Sequence, residues 1–136
     1  MYETFDHTAD LGLRIRSDTL DGLFADAARC LFSVLVANLD DVQPVEEVTF
    51  TLDPDDYDLL LFDWLAELLY TFETRKLLLS QFDVHVGEDG MHATARGEPL
   101  DTSRHVMAHE IKAITYHELK VERTDDCWLA EVIVDI

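Results

Sequence analysis

Apolar and polar residues alternate near the start of the chain. Leu11, Leu13 and Ile15 are separated by glycine or arginine, and a similar alternation runs through residues 2–6. Because successive side chains of a strand point to opposite faces, this period of two predicts strands over 2–6 and 11–16. The few residues between the two strands form a tight connection, which we expect at one rim of a sheet.

Two longer stretches repeat their apolar residues at helical spacing. The first predicts a helix over 20–36 with Thr19 as its N-cap. The second predicts a helix over 57–76, which Asp55 or Asp56 can cap. The phenylalanine and leucine stripes of both helices are typical of a core, and the broad stripe of the second predicts deep burial against a sheet or the first helix.

The other alternating runs predict strands over 45–52, 82–86, 91–97, 116–123 and 127–135. A glycine-containing turn between the second and third of these runs indicates a hairpin. Residues 105–114 fit a short helix and a strand equally well. The sequence therefore predicts a single α+β domain over 1–136, a mainly antiparallel β-sheet packed with two long amphipathic helices.

The charge of the chain narrows the classes of partner. Acidic residues number 29 against 10 basic ones, only three of them lysines, which gives 136 residues a net charge of −19. Such a field repels nucleic acids and anionic membranes and attracts cations and basic protein surfaces. We therefore expect no direct nucleic-acid or membrane binding, and the lysine-poor, aspartate-rich surface indicates a salt-loving source.

Cysteine usage and the N-terminal residues indicate a cytoplasmic location. Cys30 and Cys127 lie far apart and form no CxxC pair, so neither a zinc ribbon nor a redox pair is indicated, and two free thiols are expected. No signal peptide and no stretch long and apolar enough to span a membrane is apparent.

Carboxylates at two strand ends are the main candidates for chemistry. Asp10 opens the second predicted strand, and Asp135 closes the apolar last strand beside the main-chain carboxylate of Ile136. Together they offer up to six oxygens, the ligand type that a hard cation requires. The alternative is that Asp10 caps a turn through its own backbone and that Asp135 is a solvated chain end.

Other ionisable residues lie between 101 and 117. His105 and His109 have the four-residue spacing of a zinc pair on a helix, although no third ligand is specified and ordinary histidines are the alternative. Asp101, Lys112 and His117 lie close to them in sequence. Lys112 either pairs with a carboxylate of the acidic site or is solvated. No nucleotide-binding loop and no nucleophile motif occurs.

Several strings, in order along nearly the whole chain, resemble the archease family. They are residues 7–12 (HTADLG), 64–70 (WLAELLY), 97–98 (GE) with Asp101 and His105, 111–117 (IKAITYH) and 134–136 (VDI). The resemblance implies a small α+β domain with two main helices. The chain departs from the common family pattern in its heavy surface acidity. This acidity affects the expected affinity for a partner at low salt, but not the residues of the site.

The resemblance also implies a function. Family members act as non-catalytic activators of the RtcB-type tRNA-splicing ligase, a GTP-dependent enzyme that joins 2′,3′-cyclic-phosphate or 3′-phosphate RNA ends to 5′-hydroxyl ends. They promote its guanylylation and multiple turnover. The family's cation site corresponds to Asp10, Asp135 and Ile136, and its functional lysine to Lys112. Ca²⁺ is the expected ion, with Mg²⁺ or Mn²⁺ as alternatives.

Three other classes of function remain as alternatives. A general chaperone requires an exposed apolar patch and would suppress the aggregation of unrelated proteins. A small metal-dependent hydrolase would use the same carboxylates and would turn over substrate alone. A direct RNA binder requires a basic patch, which the charge argues against.

Overall fold

Two antiparallel sheets and two long helices form the structure, a computed structural model that describes residues 1–7 and 10–136. The strands are β1 (Tyr2–His7), β2 (Asp10–Ser17), β3 (Glu46–Leu52), β4 (Leu77–Gly87), β5 (Gly90–Pro99), β6 (Ala113–Ile114), β7 (Lys120–Arg123) and β8 (Trp128–Asp135). The helices are α1 (Leu20–Leu35), α2 (Tyr57–Arg75) and a short 3₁₀ segment, Leu39–Asp41. This architecture confirms the predicted α+β class.

The strand order brings the two ends of the chain together. One sheet has the order β1-β2-β8-β6, with β7 also paired to β8, and the other has the order β3-β5-β4. In the first sheet Leu11 lies opposite Val134, and Ala113 lies opposite Asp135. The start of β2, the end of β8 and β6 therefore meet at the same end of this sheet.

The helix starts follow the predicted signals only in part. The Thr19 hydroxyl accepts a hydrogen bond from Gly22 N at 3.0 Å, which confirms it as the N-cap of α1. Asp56 occupies the N-cap position of α2, but its side chain makes no capping hydrogen bond. The Asp55 carboxylate instead accepts a bond from Asp56 N at 2.8 Å. The start of α2 is therefore set by burial of its apolar face rather than by a side-chain cap.

The core lies between the helices and the sheets. The Trp64 ring of α2 is fully buried, and its Nε1 donates a hydrogen bond to Phe24 O of α1 at 3.0 Å. Its other side meets the Phe50 ring of β3 edge-on, with 5.2 Å between ring centroids. The predicted deep burial of α2 is confirmed, because one tryptophan joins both helices and the second sheet.

Three regions differ from the sequence-based expectation. Strand β7 begins at Lys120 rather than at residue 116, because residues 116–119 form a turn. Strand β4 begins at Leu77, well before residue 82, because buried apolar residues directly after α2 continue the strand without alternation. Residues 105–112 have no regular structure beyond a bridge between Met107 and Val36. The two-residue strand β6 follows, so the strand alternative describes the end of this stretch. In the described part of the chain, no helix is both long and apolar enough to cross a membrane.

Candidate functional site

The carboxylates singled out in the sequence come from neighbouring strands. Asp10 is the first residue of β2 and Asp135 the last of β8, and both side chains are half-buried. The pairing of Leu11 with Val134 continues by one residue to set Asp10 opposite Asp135. Directly opposed side chains of antiparallel strands share a face, with Cβ atoms about 4.5–5.5 Å apart. This register places the two side chains on the same face at the end of the sheet.

The third strand at this end carries Lys112. Its backbone N–H donates a hydrogen bond to Asp135 O at 2.7 Å, which fixes the start of β6 against the end of β8. Continued by one residue, the pairing of Ala113 with Asp135 sets Lys112 opposite Ile136. The Lys112 side chain is exposed and forms no ion pair with a carboxylate of the described residues. Of the two alternatives, the solvated lysine describes this structure.

The negative charge at this end of the sheet is not compensated locally. Farther along the same face, Arg14 lies 3.3 Å from Glu3 and 3.4 Å from Glu131, and Lys120 lies 3.3 Å from Glu131. Hydrogen bonding to Glu3 and the charge of Glu131 raise the pKa of Arg14. Neither Asp10 nor Asp135 forms an ion pair with a basic side chain in residues 1–7 and 10–136.

An aromatic ring holds β1 and β2 in register beside these carboxylates. Phe5 lies opposite Gly12, and a Cβ atom built on that glycine would lie 2.2 Å from Cζ of the Phe5 ring. The ring therefore occupies the space that any other residue at position 12 would fill. The Arg14 guanidinium covers the Phe5 ring at 4.4 Å from its centroid. This packing fixes the strand that begins at Asp10.

The chemistry of the donor set suits a hard divalent cation. Two half-buried aspartates, with the main-chain carboxylate of Ile136 next to one of them, provide only oxygen ligands. Uncompensated carboxylates held together repel one another, so a cation would stabilise this end of the sheet. The alternative role of Asp10, capping a turn through its own backbone, involves Thr8 and Ala9, which lie outside the described residues.

Sequence reasoning did not identify a buried polar cluster that holds the segment before Lys112. The Glu98 carboxylate accepts hydrogen bonds from Gln43 N at 2.6 Å, from His105 Nε2 at 3.3 Å and from the Arg104 guanidinium. Burial by itself would raise the pKa of Glu98, but these hydrogen bonds outweigh it and lower the pKa. The cluster ties the 100–105 loop to the end of β5.

The ionisable residues between 101 and 117 do not form one site. His105 is buried, and its Nδ1 accepts a hydrogen bond from Asp101 N at 2.9 Å. His109 is exposed, and the stretch joining the two histidines is not helical, so the alternative of ordinary histidines describes this structure. The pKa of Asp101 is lowered, first by the hydrogen bond from the Ser103 hydroxyl. The spacing of His105 and His109 therefore carries no functional information.

Both cysteines are free thiols in the structure, as predicted. Cys30 is fully buried in α1, and burial raises its pKa to about 12. Such a thiol stays protonated at neutral pH and is a packing residue rather than a nucleophile.

The chain matches one protein family over almost its full length. The family described as Archease protein family (MTH1598/TM1083) matches residues 2–136. Among curated relatives, the protein archease of Methanopyrus kandleri is 42% identical over 139 residues, with 99% of each chain covered. The protein archease of Pyrococcus furiosus is 36% identical over 140 residues, covering 99% of this chain and 98% of the relative.

Solved structures agree with the fold. The solution structure of Methanobacterium thermoautotrophicum protein 1598 superposes with a TM-score of 0.84 at 32% identity, covering 99% of this chain and 98% of the other. A Thermotoga maritima protein described as an archease, possible chaperone, superposes with a TM-score of 0.69. At 22% identity, over 100% of this chain and 98% of the other, this second likeness concerns the fold alone.

Proposed function

The chain belongs to the archease family, and we propose that it is a non-catalytic activator of an RtcB-type tRNA-splicing RNA ligase. In this proposal Asp10, Asp135 and the main-chain carboxylate of Ile136 hold a divalent cation, Ca²⁺ first and Mg²⁺ or Mn²⁺ as alternatives. Lys112 acts on the ligase rather than on the cation. The protein works in the cytoplasm and promotes guanylylation and repeated turnover of its partner.

The observation that supports this proposal is the register at one end of the first sheet. Leu11 pairs with Val134 and Ala113 pairs with Asp135, so residues far apart in sequence become neighbours. The cluster consists of oxygen donors without a basic partner among the described residues, and the exposed Lys112 lies on the neighbouring strand, opposite Ile136. A purely structural role would not require uncompensated carboxylates at this position.

The residues of the site have separate roles in the proposal. Asp10 and Asp135 hold their carboxylates on a common face, and the hydrogen bond from Lys112 N to Asp135 O keeps β6 against β8. The exposed Lys112 ammonium is free to reach an acidic or phosphate group of the partner. The cation, when bound, supplies the positive charge that lets the carboxylates stay together and that nucleotidyl-transfer sites use.

The net charge of −19 favours a basic docking surface on the partner and disfavours direct contact with RNA. In this arrangement the ligase binds the RNA, and this protein contacts the ligase. Docking of this kind is sensitive to ionic strength, because exposed charges are screened within about 10 Å at 0.1 M salt.

The deciding experiment measures turnover of an RtcB-type ligase with and without this protein at matched salt. We expect multiple turnover with the wild type, and a large loss of both Ca²⁺ binding and activation with Asp135→Asn, which keeps shape and removes charge. Asp83→Asn, which removes an exposed carboxylate from the other sheet, is the matched control. Equal activation by Asp135→Asn and wild type would contradict the role of the carboxylate.

A tagged pair of proteins tests Ile136. A C-terminal extension replaces its carboxylate with a neutral peptide carbonyl, whereas an N-terminal extension leaves it intact. We expect the C-terminal extension to weaken both cation binding and activation, and the N-terminal one to do so much less. Identical behaviour of the two proteins would restrict the ligand set to Asp10 and Asp135.

A second candidate function, chaperone activity, rests on an apolar groove and on the description of the Thermotoga relative as a possible chaperone. The groove has a volume of about 330 Å³ and lies between the ends of both helices and residues 107–111. Met107, 38% exposed, lines the groove, and Val106, 59% exposed, directly precedes it. Suppression of the aggregation of unrelated proteins would favour this candidate, and activity confined to the ligase would exclude it.

A further inference from the structure

We propose that His7, His117 and Glu118 form a second metal site, selective for an imidazole-preferring divalent ion of the Zn²⁺ class. His7 ends β1, and the other two residues belong to a turn over 116–119, so the cluster joins two distant segments. One potential ligand atom from each side chain lies within 4.8 Å of the others. The spacing requires only small side-chain rotations to enclose an ion.

The Glu118 carboxylate lies between the two imidazole rings. Its Oε2 is 3.3 Å from His7 Nε2, and its Oε1 is 3.8 Å from His117 Nε2. The ring centroids are 5.1 Å apart in an edge-on arrangement. The nitrogens of both rings therefore face the same carboxylate from different directions, as ligands around one ion do.

The turn that carries two of the ligands is held at several points. Leu119 N donates to Tyr116 O at 3.3 Å, and His117 N donates to the Thr115 hydroxyl at 3.2 Å. The Tyr116 ring stacks on Phe62 of α2 with 3.9 Å between centroids. Glu118 adopts φ of 53°, a left-handed conformation that a non-glycine residue adopts at a cost. The backbone thus directs this side chain towards His7.

Two imidazoles that face one carboxylate suit a shared ion better than they suit two ion pairs. Two protonated imidazoles at this distance would repel each other, whereas two neutral imidazoles can ligate the same ion. His7 Nδ1 is shielded from solvent and has no hydrogen-bond partner among the described residues. This nitrogen is not the Nε2 that faces Glu118, so the proposal rests on the convergence of the three side chains.

The donor types select the class of ion. Two imidazole nitrogens and one carboxylate oxygen match the three-ligand His₂Glu set that leaves a fourth position of Zn²⁺ open. Ca²⁺ prefers oxygen donors only, so it is the poorer ion here. His117 and Glu118 are both 61% exposed, which gives an ion direct access, and the negative field of the protein raises the local concentration of cations.

This site is a neighbour of the proposed oxygen-ligand site but does not depend on it. His7 lies opposite Asp10 in the register of β1 and β2, so the two sites share one face of the sheet. An experiment must therefore separate them by ligand type. Asp135→Asn removes an oxygen donor and leaves all three members of the new cluster in place.

The test is titration calorimetry of the full chain with ZnCl₂ and, separately, with CaCl₂, with Co²⁺ absorption as a second readout of the coordination geometry. We expect His117→Ala and Glu118→Gln each to lower Zn²⁺ affinity by at least about tenfold while leaving Ca²⁺ binding unchanged. Asp135→Asn should weaken Ca²⁺ binding and leave Zn²⁺ affinity unchanged. Both primary variants change exposed side chains, and thermal unfolding in EDTA checks that they fold.

His92→Gln is the matched control, because His92 lies 3.5 Å from Asp89 and opposite His85, yet these three described residues do not bring one ligand atom each within 4.8 Å of one another. It should bind Zn²⁺ like the wild type. The proposal would be overturned if His117→Ala bound Zn²⁺ as tightly as the wild type. It would also be overturned if His92→Gln lost as much Zn²⁺ affinity as His117→Ala. Loss of Zn²⁺ binding in Asp135→Asn would also overturn it, since the ion would then occupy the oxygen-ligand site.

Discussion

Glu98→Gln should destabilise the protein at neutral pH and have much less effect in acid. The carboxylate is 8% exposed and accepts hydrogen bonds from Gln43 N, His105 and Arg104. The substitution keeps the shape but replaces one acceptor oxygen with an NH₂ group that faces a donor. The network that ties the 100–105 loop to β5 then loses one of its bonds to a charged acceptor.

The magnitude follows from the bonds that are lost. A hydrogen bond to a charged group contributes about 1.5–3 kcal/mol when buried. Arg104 is 44% exposed, so its share is reduced by solvent screening. We therefore expect Glu98→Gln to lower the free energy of unfolding by about 2 kcal/mol. For a chain of this length that corresponds to a fall in Tm of about 8 °C.

The pH dependence has a defined sign. Hydrogen bonding holds the folded-state pKa of Glu98 below 4.5, the value expected in the unfolded chain. A carboxyl with a lowered folded pKa contributes stability that is present above 4.5 and is lost as the pH falls through the folded value. The difference between wild type and Glu98→Gln should therefore shrink as the pH is lowered from 7 to well below 4.5.

Urea unfolding of both proteins over this pH range, at constant salt, measures the difference directly. Glu47→Gln is the control, because Glu47 is exposed and, among the described residues, its ion pair is with Arg96 alone, at 3.3 Å. It should change the free energy of unfolding by less than about 0.5 kcal/mol. A Glu98→Gln effect that is absent at pH 7, or that is unchanged in acid, would refute the reasoning.

Three further predictions concern the face of the site, the lysine and the salt requirement. Gly12→Ala should destabilise the protein by about 1–3 kcal/mol in thermal unfolding, because its Cβ would lie 2.2 Å from the Phe5 ring. Lys112→Ala should reduce ligase activation while changing the free energy of unfolding by less than about 0.5 kcal/mol, since the side chain is exposed. Removing salt should lower Tm, because a net charge of −19 is then unscreened.

Each of these predictions has a contrary outcome. Unchanged stability of Gly12→Ala would mean that Phe5 moves aside without cost, and Gly12→Ala combined with Phe5→Leu should otherwise recover part of the loss. Full activation by Lys112→Ala at saturating concentration would make that residue a bystander. Equal Tm in dilute buffer and in high salt would contradict the salt-loving interpretation of the surface.

Local patterns were sufficient for most of the secondary structure. The apolar periodicities of α1 and α2 act over neighbouring turns, and the Thr19 cap depends on a contact three residues away. The alternation of β2 likewise follows from which side chains face the core. Such features can be predicted from the sequence because the residues that determine them lie within a few positions of one another.

Long-range pairing determined the rest. Residues 105–112 are held by contacts with distant segments, such as the bonds from Ala108 N and His109 N to the end of α1, which no local period records. The neighbourhood of Asp10 and Asp135 depends on the register between β2 and β8, and that of His7 and His117 on a turn that folds back over β1. A strand pattern specifies which face a side chain occupies but not which residue lies opposite it, so the ligand clusters emerge only when the strands pair.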